Sequence, residues 1–368
     1  GLGYTRIVSE FYGIRTDVTI FVPRNGERLI RRITITNLRA APVEIDAVPV
    51  VEYTHFDALK QFTNADWVPQ TMQSSADWWD DGRVVLAQYA FMKKDAAVNY
   101  LTSNRPVASF ESDRARFLGN HGSGTWAQPG ALQAPHLSNY EARRGDNIGA
   151  LLHELGTLEP GVSTTLITQL GQAQNVAQAW ALADRFQDNG AVDAALAELA
   201  SFWTGYLDVM QVETPDAAMN RMLNVHNPRQ VYTTLTWSRY LSLYQLGFGA
   251  RGIGFRDSSQ DVMGALGGAP DEALALLRNL LSVQRRDGSA MHQYNPLTME
   301  ATIGDAAERE DRPDFYGDDH LWIIQAVTAY VKETGNLAFL DEVIPFYEKD
   351  RSEEPLESAT VLEHLERA

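Results

Sequence analysis

The chain has 368 residues, of which 44% are hydrophobic and 21% charged, with a net charge of −17 at pH 7 and no cysteine. This length and composition fit a soluble globular chain that can bury a large core and form two domains. The acidic balance argues against nucleic-acid or anionic-membrane partners, because those partners recruit basic surfaces. The lack of cysteine excludes disulfides and is compatible with the cytoplasmic location that we expect. No apolar run is long enough to span a bilayer.

Alternating apolar and polar residues predict strands in the first part of the chain. The alternation is clearest in Ile33-Thr-Ile-Thr36. Similar runs are Val18 to Val22, Val43 to Val51 and Thr164 to Leu170. We therefore expect a β-sandwich domain over residues 1–171.

Two segments inside this region, 57–81 and 120–139, are rich in Trp, Gln, Ser, Gly and Pro and are interpreted as long loops. Large aromatic side chains dominate burial wherever they pack. The tryptophans of these loops are therefore expected to cover the sandwich core; they are Trp67, Trp78, Trp79 and Trp126.

From Ala173 the apolar period becomes helical, and residues 172–213 are expected to form a helical linker. Thr214 followed by Pro215 predicts a helix start, with Thr as the cap and Pro in the first turn. A second domain is therefore placed over residues 214–368.

Within this second domain, three further helices are predicted. The first begins at Pro270. The second runs from Asp319 to Thr334 and ends before Gly335, and the third runs from Leu337 to Tyr347. Pro228 interrupts a helical pattern and is expected to end or kink the helix there.

The segment Arg251 to Asp261 contains two guanidiniums, two carboxylates and an amide among glycines. Arginine forks and aspartate oxygens make directional, charge-assisted hydrogen bonds, and Gly252 and Gly254 allow a tight turn or a close approach to a ligand. Such a cluster suits the hydroxyl groups of a sugar. A buried Arg/Asp network that joins helices fits the same residues equally well.

A second cluster, Asp314 to Trp322, places aromatic residues and adjacent carboxylates before an apolar run. A carboxyl in an apolar setting has a raised pKa and can protonate a glycosidic oxygen. Alternatively, Asp318 or Asp319 caps the helix that follows, and the helix dipole then lowers the pKa of the capping group.

Together these clusters resemble the family of cellobiose, chitobiose and cellodextrin phosphorylases, inverting enzymes that split β-linked saccharides with phosphate. The resemblance covers most of the chain and rests on the order and spacing of several motifs. These motifs are Gly3 to Arg6, Ile33 to Leu38, Asp113 to Gly119, Thr214 to Asp216, Trp237 to Arg239, Arg251 to Asp261, His292 to Thr298 and Asp318 to Trp322.

The resemblance implies an (α/α)6 toroid, incomplete here, behind the β-sandwich and the helical linker. It implies that Asp318 is the general acid, that Tyr316 is the neighbouring aromatic, and that Arg239 binds phosphate. It further implies that Arg251 and Asp257 hold the non-reducing sugar. Arg256 and Asp261 are expected to support those two residues, and plain structural pairing and direct contact with the sugar stay open as alternatives for both. His292 matches a family motif without an assignable role, and some of the tryptophans have room to shape a subsite.

An inverting hydrolase needs an acid and a base, whereas a phosphorylase needs only the acid because phosphate is already an anion. Phosphate is therefore expected as a co-substrate, with no metal and no other cofactor. The resemblance also implies a homodimer for the full-length protein and further phosphate ligands beyond this chain, so we expect a fragment that is inactive alone. Two alternatives stay open: an inverting hydrolase on the same toroid, recognised by a second carboxylate across the sugar, and a non-catalytic carbohydrate-binding protein.

Overall fold

The computed structural model describes residues 2–24, 26–53, 67–91, 97–119, 124–241, 252–304, 315–348 and 357–368. The chain divides into two compact units, Gly1–Trp203 and Thr204–Ala368. The domain boundaries expected from the sequence, after residues 171 and 213, remain predictions.

The first unit is built from two antiparallel sheets. The larger sheet has seven strands in the order β1-β2-β3-β11-β8-β7-β6, and the smaller has the order β4-β10-β5, with β9 also paired to β10. The strands are β1 Tyr4–Phe11, β2 Ile14–Phe21, β3 Arg28–Asn37, β4 Val43–Ala47, β5 Val50–Glu52, β6 Met72–Trp78, β7 Val84–Ala90, β8 Val98–Ser103, β9 Ser109–Asp113, β10 Asn147–Leu158 and β11 Ser163–Ala173. The strands predicted from alternation are confirmed, except that the run Val43 to Val51 forms two strands, β4 and β5, with a break at residues 48–49.

Strand β7 is buried on both faces because it lies between two layers. Leu86 packs with Phe110 and Leu151 of the smaller sheet. Val85, on the opposite face, packs with Trp180. Successive residues of a strand point to opposite sides, so a continuous apolar run here fills two interfaces.

The loop prediction for residues 57–81 is wrong at β6, which pairs with β7 along its whole length. Trp78, at its end, lies 6.2 Å from the ring of buried Phe110. Trp79 and Trp126 likewise contact buried rings, those of Trp180 and Phe117, at 5.0 and 5.9 Å. These three tryptophans cover the core at its edges, as predicted, whereas Trp67 is 62% exposed.

The remaining helices and strands follow in chain order. The helices are α1 Arg114–Leu118, α2 Val176–Ala183, α3 Asn189–Leu207, α4 Ala217–Arg221, α5 Asn227–Thr233, α6 Arg239–Leu241, α7 Phe255–Ala265, α8 Pro270–Leu281, α9 Asp319–Thr334 and α10 Val361–Arg367. The strands are β12 Ile253–Gly254, β13 Gln293–Tyr294, β14 Ala301–Thr302, β15 Val343–Pro345 and β16 Ser358–Thr360. The starts of α8 and α9 and the end of α9 lie at the predicted residues.

The helix predicted to start at Thr214 begins instead at Ala217, and Asp216 is its cap. The Asp216 carboxylate accepts hydrogen bonds from the backbone N–H groups of Ala218 and Met219. Thr214 bonds to Asp216 and to Asn220. An ionised carboxylate is a stronger acceptor than a hydroxyl and is also favoured by the helix dipole, so the cap moves two residues onward.

The helix is not ended by Pro228, because a wider turn precedes the proline. Met222–His226 forms a π-helical turn, closed by the Asn227 N–H on the Met222 carbonyl. Pro228 then occupies the first turn of α5, where its missing N–H costs little. The Pro228 carbonyl accepts a hydrogen bond of 2.9 Å from the Tyr206 hydroxyl.

The helix predicted over Leu337 to Tyr347 is wrong. A short 3-10 turn, Leu337–Asp341, is followed by β15, which pairs with β16. Pro345 would lie inside the predicted helix and cannot donate the hydrogen bond required there. It is accommodated in a short strand instead.

Candidate functional site

The start of α7 is fixed by a tight backbone crossing. Gly252 has a φ of +77°, and a Cβ at this position would lie 2.5 Å from the carbonyl oxygen of Tyr294. Only glycine fits both restrictions. The next two residues form β12 and pair with β13, with Ile253 opposite Tyr294. Arg251, the predicted sugar-binding arginine before this turn, lies outside the described residues.

Helix α7 carries Arg256, Asp257 and Asp261, and the two carboxylates meet Arg239 of α6. The Arg239 Nε lies 2.6 Å from Asp261 Oδ2, and its Nη2 lies 3.2 Å from Oδ1 of the same residue. Its Nη1 lies 3.3 Å from Asp257 Oδ2. Residues four apart share one face of a helix, so both carboxylates reach the same guanidinium. We call these three residues, Arg239, Asp257 and Asp261, the Arg239 cluster.

The Arg239 cluster is largely shielded from solvent. The Asp261 side chain is only 10% exposed, and this burial raises its pKa, against the opposing effect of Arg239. The hydrogen bond to Asp261 in turn raises the pKa of Arg239, which stays charged. The bonds to the two carboxylates use three of the five N–H donors of the guanidinium.

Asp318 occupies the N-cap position of α9, but its side chain makes no capping hydrogen bond. Its Oδ2 instead accepts hydrogen bonds from Arg256 Nη1 at 2.9 Å and from Trp322 Nε1 at 3.4 Å. The bond from Arg256 lowers the pKa of Asp318, and 49% of the side chain is exposed. The expectation of an apolar setting that raises this pKa is therefore wrong.

Asp319 differs from its neighbour in being almost completely buried, at 1% exposure. Its Oδ2 lies 2.7 Å from Nδ1 of His292, the residue before β13. The imidazole of His292 stacks on the ring of Tyr316, with centroids 4.0 Å apart and planes 23° apart. We call Arg256, Asp318, Asp319, His292 and Tyr316 the Asp318 cluster.

The two clusters are electrostatic neighbours. Asp318 is the largest influence on the pKa of Arg256, which it raises, and Asp257 of the Arg239 cluster adds to the same effect. The fold thus brings together Arg239, Arg256, Asp257, Asp261, Tyr316 and Asp318. Arg256 does not pair with Asp257 or Asp261 as a buttress would; it binds the carboxylate of Asp318.

Trp322 and the pair of His292 with Asp319 had no assigned role in the sequence. Trp322 lies four residues after Asp318 in α9, so the spacing could have predicted that its indole N–H reaches the carboxylate. No comparable signal links His292 to Asp319, because the residues are 27 positions apart and meet only in the fold.

Among the residues that the structure describes, no group of three or more His, Cys, Asp or Glu is arranged to hold a metal ion. No helix in the described ranges is long and apolar enough to cross a membrane.

Comparison with known proteins identifies both parts of the chain. The profile of the glycosyl hydrolase 94 supersandwich domain matches residues 1–189. The profile of the glycosyl hydrolase 94 superfamily catalytic domain matches residues 202–368. The two matches follow the same order as the two compact units.

Several curated proteins are similar over nearly the whole chain. An N,N'-diacetylchitobiose phosphorylase from Vibrio furnissii is 27% identical over 99% of this chain and 46% of its own length. A solabiose phosphorylase from Paenibacillus borealis is 27% identical over 99% of this chain and 43% of its own length. The chain therefore spans somewhat under half the length of these relatives.

Among solved structures, a bacterial glucoamylase complexed with acarbose has a TM-score of 0.50 at 12% identity, over 90% of this chain and 47% of that one. At this identity the likeness concerns the fold alone. It supports the predicted fold class, an antiparallel sandwich followed by helices of the toroid type. Since the sandwich profile alone covers half of the residues, and the catalytic profile follows it in order, the chain belongs to the glycosyl hydrolase 94 family.

Proposed function

We propose that this chain is part of an inverting phosphorylase that splits β-linked gluco-disaccharides or oligosaccharides into a sugar 1-phosphate and a shortened saccharide. The observation that carries the proposal is the contact of Asp318 with Arg256, beside the Arg239 cluster. Asp318 would supply the proton, and the guanidiniums of Arg256 and Arg239 would offer donors to an anionic nucleophile once their present carboxylate partners are displaced. The relatives named as phosphorylases support the same reaction class.

In the proposed reaction an oxygen of phosphate attacks the anomeric carbon from the face opposite the leaving group. The bond from that carbon to the glycosidic oxygen breaks, and the Asp318 proton moves to the leaving oxygen. Configuration at the anomeric carbon inverts in this single displacement. In the reverse direction the Asp318 carboxylate accepts the proton of the acceptor hydroxyl.

The bond from Arg256 favours the carboxylate form of Asp318, which is the form required in the reverse direction. Phosphorolysis needs the protonated form. A bound saccharide would remove water from this half-exposed side chain and offer hydroxyl groups to Arg256. Both changes raise the pKa of Asp318 toward that of a general acid.

Arg239 remains our proposed phosphate contact, and Asp257 and Asp261 hold it in place. The bond from Arg239 to Asp257, at 3.3 Å, is the longer and weaker one. Asp261 instead accepts hydrogen bonds from two nitrogens of Arg239, Nε and Nη2. Phosphate would replace Asp257 at Nη1, which frees that carboxylate for a sugar hydroxyl. This exchange reconciles the sugar-binding role expected for Asp257 with its observed bond to Arg239.

The remaining expectations stand as part of the same proposal. The partners are a β-linked saccharide and inorganic phosphate as co-substrate, without a metal or another cofactor. The active form is a cytoplasmic homodimer of a longer polypeptide. Since the chain spans under half the length of its phosphorylase relatives, we expect it to be inactive alone.

The decisive experiment replaces Asp318 by Asn in a polypeptide that contains this chain and has activity. Release of sugar 1-phosphate from cellobiose and from N,N'-diacetylchitobiose is measured with phosphate present. We expect a loss of about 10³-fold or more, because the variant cannot donate the proton, with saccharide binding largely kept. Asp271→Asn, which removes an exposed carboxylate from the first turn of α8, serves as the matched control.

Turnover like that of the wild type in Asp318→Asn would refute the assignment of the acid. Release of free sugar by the unsubstituted protein without phosphate would support the hydrolase, and saccharide binding by the unsubstituted protein without any turnover would support the binding protein. Robust phosphorolysis by this chain alone would refute its proposed inactivity.

A further inference from the structure

We propose that His292 and Asp319 form a positioning pair that holds the ring of Tyr316 as a platform for the sugar and thereby sets saccharide affinity. The inference rests on the proposed function and extends it to two residues without an assigned role. His292 is taken as a positioning residue that acts through Tyr316.

Asp319 is anchored far more firmly than a solvent-exposed carboxylate. It is 1% exposed, and His292 Nδ1 lies 2.7 Å from its Oδ2. The other oxygen, Oδ1, is buried and has no hydrogen-bond partner among the described residues. Burying a carboxylate is costly unless it is paired, so the bond from His292 is the contact that makes this arrangement tolerable.

That bond also fixes the orientation of the imidazole plane. A ring whose Nδ1–H donates to a buried carboxylate cannot rotate without breaking the bond. The plane so fixed lies against the Tyr316 ring, at 4.0 Å between centroids and 23° between planes. Offset stacking of this kind stabilises one orientation of the tyrosine ring.

Gly304 lies beside both rings of the stack. A Cβ at residue 304 would lie 2.9 Å from Cδ2 of His292 and 3.5 Å from Cε2 of Tyr316. The backbone of Gly304 therefore packs against both rings and leaves little room for either to shift. Tyr316 is only partly buried, so a portion of its ring stays available to a ligand.

Backbone hydrogen bonds connect the stack to both helix starts that carry the candidate residues. The His292 carbonyl accepts from the N–H of Phe255, the first residue of α7, at 3.0 Å. The Tyr316 carbonyl accepts from the N–H of Asp319, the first residue of α9, at 3.3 Å. The stack is thus linked through the backbone to Phe255, which precedes Arg256, and to Asp319, which follows Asp318.

These contacts give the two adjacent aspartates different roles. Asp318 is half-exposed and faces Arg256, where a saccharide and its leaving oxygen have access. Asp319 is buried and faces His292, where no ligand reaches it. The second carboxylate therefore orients the aromatic platform while the first is free to exchange a proton.

The test compares substitutions that remove one contact at a time in the active polypeptide. His292→Asn keeps an N–H donor near the Nδ1 position and removes the stacked ring. We expect KM for the saccharide to rise about 10-fold, with kcat within about 3-fold, because the platform loses its support but the acid does not. His292→Phe keeps a stacking ring but loses the bond that fixes its orientation, so we expect KM to rise by about 3-fold, less than in His292→Asn, while the thermal unfolding midpoint falls.

A double-mutant cycle separates positioning from general destabilisation. If His292 acts through Tyr316, then His292→Asn in a Tyr316→Ala background changes KM by less than about 2-fold. Additive increases in KM, or an unchanged KM in folded His292→Asn, would overturn the inference. An increase in KM that merely follows the lost thermal stability across all variants would overturn it as well.

The outcomes also separate this inference from the function on which it rests. If the wild type phosphorolyses saccharides and the cycle is additive, only the positioning role fails. If the wild type binds cellobiose or N,N'-diacetylchitobiose without turnover, the cycle is run on Kd by calorimetry, and the same non-additivity supports the platform. If the wild type neither binds nor converts any saccharide, the proposed function and the platform both fail.

Discussion

The two halves of the candidate site pair an aspartate with an arginine, yet the pKa values of these aspartates move in opposite directions. Asp261 is bound by two nitrogens of Arg239 and is 10% exposed, and its pKa is raised. Asp318 is bound by one nitrogen of Arg256 and is 49% exposed, and its pKa is lowered. The better geometry therefore belongs to the carboxylate whose ionisation is less favourable.

Burial explains this difference. Loss of water penalises the charged form of Asp261 by more than the fork of Arg239 offsets, whereas Asp318 keeps much of its hydration and gains the hydrogen bond. An ion pair observed in a structure thus does not give the direction of a pKa shift by itself. Access to solvent, and not the direction of the pKa shift, is what makes Asp318 the carboxyl group that can exchange a proton with a substrate, since Asp261 is enclosed and bound by Arg239.

The largest effect that would test this comparison is expected from Arg239→Leu. The substitution leaves Asp261 and Asp257 without their cation, and Asp261 is nearly buried. We expect the free energy of unfolding of the second unit to fall by about 3 kcal/mol, the low end for breaking a buried pair. Urea denaturation followed by circular dichroism measures the change.

The chain provides a matched control in an exposed pair of the same geometry. Arg278 binds Glu342 through Nε at 2.7 Å and Nη2 at 2.8 Å, and the arginine side chain is 47% exposed. We expect Arg278→Leu to cost less than about 1 kcal/mol. Equal costs for the two substitutions would show that burial does not distinguish the pairs.

A moderate effect is expected from Arg256→Met on the pH dependence of phosphorolysis in the active polypeptide. Phosphorolysis uses protonated Asp318, whose population falls as pH rises through its pKa. Arg256 lowers that pKa, so its removal raises it and moves the falling limb of the profile of kcat/KM to higher pH.

The control for this variant is Arg256→Lys, which keeps a positive charge near Asp318. It should leave the falling limb of the pH profile of kcat/KM closer to its wild-type position. A limb that stays in place in Arg256→Met, or moves to lower pH, would contradict the assignment of the acid.

The smallest effect is expected from Trp322→Phe. The indole N–H donates to Asp318 at 3.4 Å, a long hydrogen bond that ranks second among the side-chain bonds lowering this pKa. We expect kcat/KM to change by less than about 3-fold, with little change in the unfolding midpoint. A loss as large as that of Asp318→Asn would show that Trp322 has a role beyond this hydrogen bond.

Much of the fold is predictable because its signals are local. Alternation in β3 follows from the two faces of a strand, and the limits of α9 follow from an acidic start and a glycine after its last turn. Gly252 likewise occupies a left-handed backbone position, as its place in a tight turn suggested.

The errors arise where two local signals compete. Thr214 and Asp216 are both good caps, and only the observed hydrogen bonds show that Asp216 is the one used. The apolar spacing after Leu337 suits a helix, but pairing with the distant strand β16 gives β15 a partner and accommodates Pro345. Strand pairing between distant residues has no signature in a short window of sequence.

The sequence by itself determined the layers of the sandwich, the helical second part, and the short set of residues that bear charge and aromatic rings near Asp318. Only the tertiary structure decided which carboxylate meets which arginine, and that Asp319 is buried while Asp318 is open to solvent. The physical reason is that strand and helix periods depend on neighbouring residues. Burial and ion pairing depend instead on which distant residues the fold brings together, and these contacts set the pKa of each acid.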